Sequence, residues 1–145
     1  MPETKKKGPV FIWEGDTRNG FLEELSDFVE EVGKALNVQE KTLCEIQLAI
    51  GEAASNSQEH SYKGEQGKLR LEIEKDKSEI KIRVTDWGKS SPQLEKVPEP
   101  RIVPDLKMVD LEGLGMLMIR RTMDEVEFST TSKGGHAVTM RKRIR

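Results

Sequence analysis

Two stretches of strict alternation constrain this chain more than any other feature. Leu69, Leu71 and Ile73 alternate with charged or polar residues, and Ile80, Ile82 and Val84 do the same after a turn at Asp76-Lys77-Ser78. That period of two describes a hairpin with one dry face and one wet face. The dry face needs a cover. The chain supplies it in apolar residues at three- and four-residue spacing: Phe21, Leu25, Phe28, Val29, Val32 and Leu36 predict an amphipathic helix that starts from Asp16 or Thr17 as N-cap and ends at Asn37. A second helix is expected from about Gln39 to Ser61, with Leu43, Ile46, Ile50, Ala53 and Ser57 facing the core. A third runs from Gly113-Leu114-Gly115 to about Met123.

Residues 10–13, between Pro9 and Glu14-Gly15, read as a short strand. Residues 125–131 and 136–143 read as a closing hairpin around Lys133-Gly134-Gly135. The order is strand, helix, helix, two strands, long loop, helix, two strands. Helices grouped in this way can cover one face of the sheet, so the expected architecture is an α/β, two-layer sandwich with a mixed, mostly antiparallel sheet. A doubly wound parallel sheet would need regular alternation of strand and helix, which is absent. Four of the six prolines fall within 88–112 with little periodicity, which points to a disordered stretch or a functional lid, about 89–112. At 145 residues the chain is expected to form a single domain, 1–145.

Charge excludes some functions. Twenty-four basic residues against 26 acidic ones leave a net charge of −2, so no global field favours nucleic acid or an anionic membrane. The basic ends Lys5–Lys7 and Arg141–Arg145 lack interleaved aromatic residues, which argues against direct nucleic-acid binding. One cysteine, Cys44, forms no internal disulfide, and two histidines with it are too few for a structural zinc site. No apolar run approaches a membrane span. Lys5-Lys6-Lys7 precedes Gly8-Pro9 and no apolar segment follows, unlike a signal peptide. A cytoplasmic protein without membrane contact is expected.

Four clusters could carry chemistry. Glu52-Ala53-Ala54-Ser55-Asn56 sets a carboxylate and a carboxamide at i and i+4 on one helical face. Glu52 lies about 200° round the helix from Ile50. Ala49, Ala53 and Ser57 leave room beside the pair, which could hold a hard cation and its water; a solvated polar face is the ordinary alternative. Val84-Thr85-Asp86-Trp87-Gly88 ends a strand with an acceptor suited to an exocyclic amine and a glycine that admits close backbone approach, or is an ordinary Asp turn. Gly113-Leu114-Gly115 could present free N–H groups to phosphate, or be a hinge. Ser132-Lys133-Gly134-Gly135-His136 could reach a phosphate, or be a plain hairpin turn. Gly88-Lys89-Ser90 is not a P-loop: Arg83 stands where the first glycine is needed, and Pro92 interrupts the helix that should follow.

In this order and at these spacings, the clusters resemble the boxes of the GHKL ATPase superfamily over residues 10–143. The matching elements are Glu52-x-x-x-Asn56 with His60 and Tyr62, Asp86-Trp-Gly88, Gly113-x-Gly115 leading into Met123-Asp124-Glu125, and the closing glycine-rich hairpin. Within the superfamily the chain is most similar to the anti-sigma factor serine/threonine-protein kinases of bacterial stress and sporulation switches. The resemblance implies a single histidine-kinase-like domain of the Bergerat fold with ATP and Mg²⁺ as cofactors. It assigns Glu52 as general base, Asn56 as the Mg²⁺ ligand and Asp86 as acceptor for the adenine amine. Gly88, Gly113, Leu114, Gly115 and Met116 would shape the pocket and its phosphate cradle.

The implied partners are a STAS-domain anti-anti-sigma protein, phosphorylated on serine, and a sigma factor held inactive; a homodimer is expected. Two positions depart from the family pattern: Ser90 stands where a second glycine is usual, and His136 where a threonine often follows the last glycines. The alternative is a non-catalytic, nucleotide-gated module that binds a protein partner. His60 is expected to pack or cap at the helix end, His136 to be an exposed strand residue, and Cys44 to lie at the core edge.

Overall fold

The computed structural model describes residues 8–88 and 111–144. Five strands form one sheet: β1 (Val10–Asp16), β2 (Lys68–Lys75), β3 (Glu79–Asp86), β4 (Glu125–Thr130) and β5 (His136–Arg143). Their order across the sheet is β1-β2-β3-β5-β4. Each of the four pairings is antiparallel, so the mixed element expected from the sequence is absent among the described strands. Helices α1 (Phe21–Ala35), α2 (Glu40–Asn56) and α3 (Leu111–Thr122) complete the layer pair, and a single π-helical turn, Ser57–Ser61, continues α2. None of these helices is long and apolar enough to cross a membrane.

The alternation read in the sequence sets the faces. Leu71 pairs with Val84 and Ile73 with Ile82, while Ile82 pairs in turn with Met140. All of these side chains are buried in one cluster with Leu25, Val29, Ile46 and Ile50 of the helices. The opposite face holds the intervening charges in cross-strand pairs: Arg70 meets Glu14 at 2.8 Å, and Arg141 meets Glu79 at 3.4 Å and Glu125 at 3.7 Å. Exposed pairs of this kind contribute about 0–1 kcal/mol each. They keep the wet face soluble and its register fixed more than they stabilise it. Lys142 crosses to the helical layer, where it pairs with Glu45 of α2 at 3.1 Å and donates to the Thr122 carbonyl at the end of α3.

Tertiary contacts move several boundaries. The expected cap, Thr17, is drawn into the sheet edge and is only 2% exposed. Its N–H donates to the Gly67 carbonyl at 2.9 Å, and its hydroxyl accepts from the Gly67 N–H at 3.1 Å. The first strand therefore runs on to Asp16, and α1 starts after Gly20. Its far end is as expected. Asn37 takes a φ of 56°, its N–H bonds the Lys34 carbonyl, and the Val38 N–H bonds the Gly33 carbonyl, a Schellman ending that asparagine tolerates. Helix α3 begins at Leu111, two residues before Gly113, so residues 111 and 112 belong to the helix. Residues 89–110 of the expected lid lie outside the described residues. Cys44 is exposed and not at the core edge.

If the two faces are as unequal as this, Ile82→Ala should cost about 2–5 kcal/mol of unfolding free energy in a urea titration. Ile12→Ala, at a site 46% exposed on the outer face, should stay within about 0.5 kcal/mol.

Candidate functional site

The site begins where β3 ends. Asp86 is the last residue of that strand and is 3% exposed. It shares the helix-facing side of the sheet with Val84, and its register partners are Leu69 on β2 and His136 on β5. A buried carboxylate needs donors from the protein in place of water. Among the described residues Asp86 has two: the Ser61 hydroxyl donates to Oδ2 at 2.8 Å, and the Gly88 N–H donates to Oδ1 at 3.2 Å. One comes from the helical layer and the other from the strand's own turn.

Gly88 is required by space. A Cβ there would stand 2.3 Å from the Ser61 carbonyl oxygen and 2.5 Å from its carbonyl carbon, both backbone. Gly135 is similarly confined, since a Cβ would meet the Asp86 carbonyl oxygen and Trp87 Nε1 at 2.9 Å. The turn before β5 is closed by the Gly135 N–H donating to Thr131 Oγ1 at 2.8 Å. Thus the glycine-rich hairpin, read in the sequence as a possible plain turn, abuts the Asp86 strand end. His136 is half-buried beside it and does not stand exposed.

Tyr62, just past the π turn, pins the same corner. Its hydroxyl accepts from the Trp87 N–H at 2.8 Å and donates to the Lys68 carbonyl at 2.5 Å. The Lys68 ammonium sits 5.3 Å over the Trp87 ring, near enough for a cation–π contact. Burial pushes the Tyr62 hydroxyl above its ordinary value of 10.0; the Trp87 N–H offsets part of this, and Asp86 and Asp16 add to the rise.

Asn56 closes α2 and is 3% exposed, so the solvated-face alternative does not hold for it. Ser61 lies five positions further along the chain. Glu52, one turn back, is half-exposed. It lines a groove of about 320 Å³ between α1 and α2, with Leu22, Ser26, Gln47 and Ser55. Gly113, Leu114, Gly115 and Met116 all lie within the first six residues of α3, which packs along α2. Because the helix starts at Leu111, the Gly113 N–H falls among its unbonded first four while Gly115 lies deeper in the ladder.

The structure therefore gathers Asp86, Gly88 and the Gly135 hairpin tightly, buries Asn56 at the end of α2, and places Glu52 on the groove between α1 and α2. Among the described residues no group of three or more His, Cys, Asp or Glu could hold a metal ion. A buried amide oxygen such as that of Asn56 suits a hard cation that brings most of its ligands with it. The sequence reading missed Ser61 altogether. No periodicity marks it, because it depends on a π turn.

Comparison with known proteins adds a family. The pattern of the family described as histidine kinase-like ATPase domain matches residues 18–142. An anti-sigma F factor of Clostridium botulinum is 28% identical over 127 residues, spanning 86% of this chain and 79% of that protein. A serine-protein kinase RsbW of Listeria innocua is 29% identical over 87 residues, 57% of this chain and 55% of that protein. In fold, the chain is similar to a chain of the SiaB–SiaC complex from Pseudomonas aeruginosa, with a TM-score of 0.61 at 15% identity over 92% of this chain and 89% of that one. It is also similar to a structure of the RsbU and RsbW domains of a Mycobacterium tuberculosis protein. There the TM-score is 0.62 at 17% identity, over 93% of this chain but 32% of that one.

Tyr62→Phe should leave the Trp87 N–H and the Lys68 carbonyl without their partner and cost about 1–3 kcal/mol at pH 8. A hydroxyl whose pKa is raised by folding stabilises the fold fully below its unfolded value and loses that contribution as pH climbs past it. The stability gap between wild type and Tyr62→Phe should accordingly narrow from about pH 10 upward, as urea titrations at pH 8 and in steps above pH 10 would record.

Proposed function

The chain belongs to the histidine kinase-like ATPase domain family, and from that premise we propose that it is an ATP- and Mg²⁺-dependent protein-serine kinase that also acts as an anti-sigma factor. The observation that carries the reading is the buried Asp86 carboxylate at a strand end, fixed by the Ser61 hydroxyl and the Gly88 N–H, with Gly88 keeping the backbone beside it free of side chain. An ionised carboxylate accepts and cannot donate. It suits an exocyclic amine such as that of adenine and repels a carbonyl oxygen in the same place.

The remaining roles follow the resemblance and are proposals for this chain. Asn56 would hold Mg²⁺, whose chemistry when bound is to neutralise charge on the phosphates. Gly113, Leu114, Gly115 and Met116 would flank the phosphates at the start of α3, where the helix dipole favours anions. Glu52 would take the proton of an incoming serine hydroxyl as that oxygen bonds to the γ-phosphorus and the bond to the β-phosphate oxygen breaks. The acceptor is proposed to be a serine of a STAS-domain anti-anti-sigma partner, and the second partner a sigma factor. The names of the relatives, anti-sigma F factor and serine-protein kinase, support that pair of roles. A homodimer and a single functional domain spanning 1–145 belong to the same proposal.

One observation favours the second reading, a non-catalytic, nucleotide-gated binder. Glu52 faces the groove against α1, and among the described residues its carboxylate makes no hydrogen bond or ion pair. Labelled ATP with Mg²⁺ and candidate STAS proteins separates the two. In a kinase, Glu52→Ala should cut transfer of label to the partner's serine by about 100- to 10,000-fold with ATP affinity nearly unchanged. Asp86→Asn should abolish nucleotide binding itself. Binding of ATP without any label on a partner, in wild type as in Glu52→Ala, would select the binder.

A further inference from the structure

The buried hydroxyl of Ser61 has no part in the roles assigned above, yet among the described residues it makes the shorter of two hydrogen bonds to the Asp86 carboxylate, 2.8 Å to Oδ2 against 3.2 Å for the Gly88 N–H on Oδ1. We propose that Ser61 is the positioning residue that sets base selectivity, by fixing the Asp86 carboxylate as an acceptor for an amine donor. The inference rests on the nucleotide-site reading of Asp86.

The backbone explains how Ser61 arrives there. Had α2 continued as an α-helix, five residues at about 100° each would place Ser61 about 140° round from Asn56. Instead the chain widens to a π turn, in which the Tyr62 N–H bonds the Ser57 carbonyl five residues back at 3.1 Å. The wider turn spends more residues per revolution and returns Ser61 toward the side of Asn56. Both are 3% exposed. Single π turns inside helices recur at functional sites, and here the effect is concrete: a hydroxyl is delivered to a carboxylate from an element 25 residues away.

The chemistry has one direction. Facing an ionised carboxylate, the hydroxyl must be the donor. With one donor on each oxygen, the carboxylate is held against rotation, and the lone pairs left over can accept from a ligand. Without the hydroxyl, Oδ2 is buried with one donor fewer, and the carboxylate can turn or draw in water to recover it. The loss should fall on ligands that use the carboxylate and spare those that do not.

The test compares two nucleotides by titration calorimetry with the whole chain: ATP, and purine riboside triphosphate, which lacks the exocyclic amine. Wild type should bind ATP about tenfold or more tighter than the amine-free analogue. Ser61→Ala should weaken ATP about tenfold and the analogue less than about twofold, so that discrimination collapses. Ser61→Cys keeps the side chain's size but is a weak donor, and should show the same selective loss; it serves if the alanine variant melts early. Equal weakening of both nucleotides in both variants would assign Ser61 a merely structural role and overturn the inference while leaving the Asp86 reading intact. A wild type that binds both nucleotides equally would overturn the Asp86 reading, and the Ser61 proposal with it.

Discussion

A carboxylate taken out of water has to be solvated by the protein, and the architecture around Asp86 is organised by that requirement. Burying it without donors would cost far more than any single contact here contributes, and the ordinary outcome would be a neutral acid. Both donors are supplied, but from different layers. The Gly88 N–H comes with the strand, while the Ser61 hydroxyl is available only if α2 lies over the end of β3 at one rotation and one height. The register of the sheet matters for the same reason. A slip of one residue in β3 would put Asp86 on the wet face and Thr85 under the helices, so the hydrophobic alternation that pins Ile80, Ile82 and Val84 also fixes the acid.

Helix α2 is the member that joins these demands. It packs against both α1 and α3 and over β3. Its buried face is built from small residues, Ala49, Ala53 and Ala54, around Ile46 and Ile50. Small side chains let neighbouring helices approach closely, as at Gly33 of α1, where a Cβ would run into the Leu43 side chain. They add little hydrophobic stabilisation of their own. The larger share comes from the sheet's apolar face, and polar ties hold the layers in register: Lys142 to Glu45 and Thr122, and Lys75 to the Leu36 carbonyl at the end of α1. In this fold the sheet supplies the energy and the helix supplies the geometry.

How much of this was legible in the sequence divides along physical lines. Strands β2 and β3 and the dry faces of α1 and α2 follow from periodicity, because burial on one face leaves a pattern with period 2 or 3.6. The Asp86-Trp87-Gly88 cluster and the closing glycines were legible as candidates, and the close approaches at Gly88 and Gly135 explain why those positions carry no side chain. What escaped is whatever a long-range contact decides. Thr17 has every local mark of an N-cap, yet Gly67, fifty residues on, claims it for the sheet edge. Ser61 looks like one more polar residue at a helix end. The hydrogen-bond shift that makes it matter, from four residues back to five, has no signature in side-chain spacing.

The π turn begins only after Asn56, so it leaves the i, i+4 spacing of Glu52 and Asn56 on α2 unchanged. In a uniform helix, residues four apart stay on one face, and Glu52 and Asn56 would be expected to act side by side. The two differ in burial all the same: Asn56, the last residue of α2, is buried just before the π turn, whereas Glu52 is half-exposed and lines the α1 groove. A π turn gives up good hydrogen-bond geometry and is uncommon for that reason. It persists here because the residues it delivers, Ser61 to Asp86 and Tyr62 to Trp87 and Lys68, make bonds that a regular continuation would forfeit. One helix can then present different chemistry to two surfaces, a buried polar corner at its end and an open groove one turn earlier, without any change in the strands beneath it.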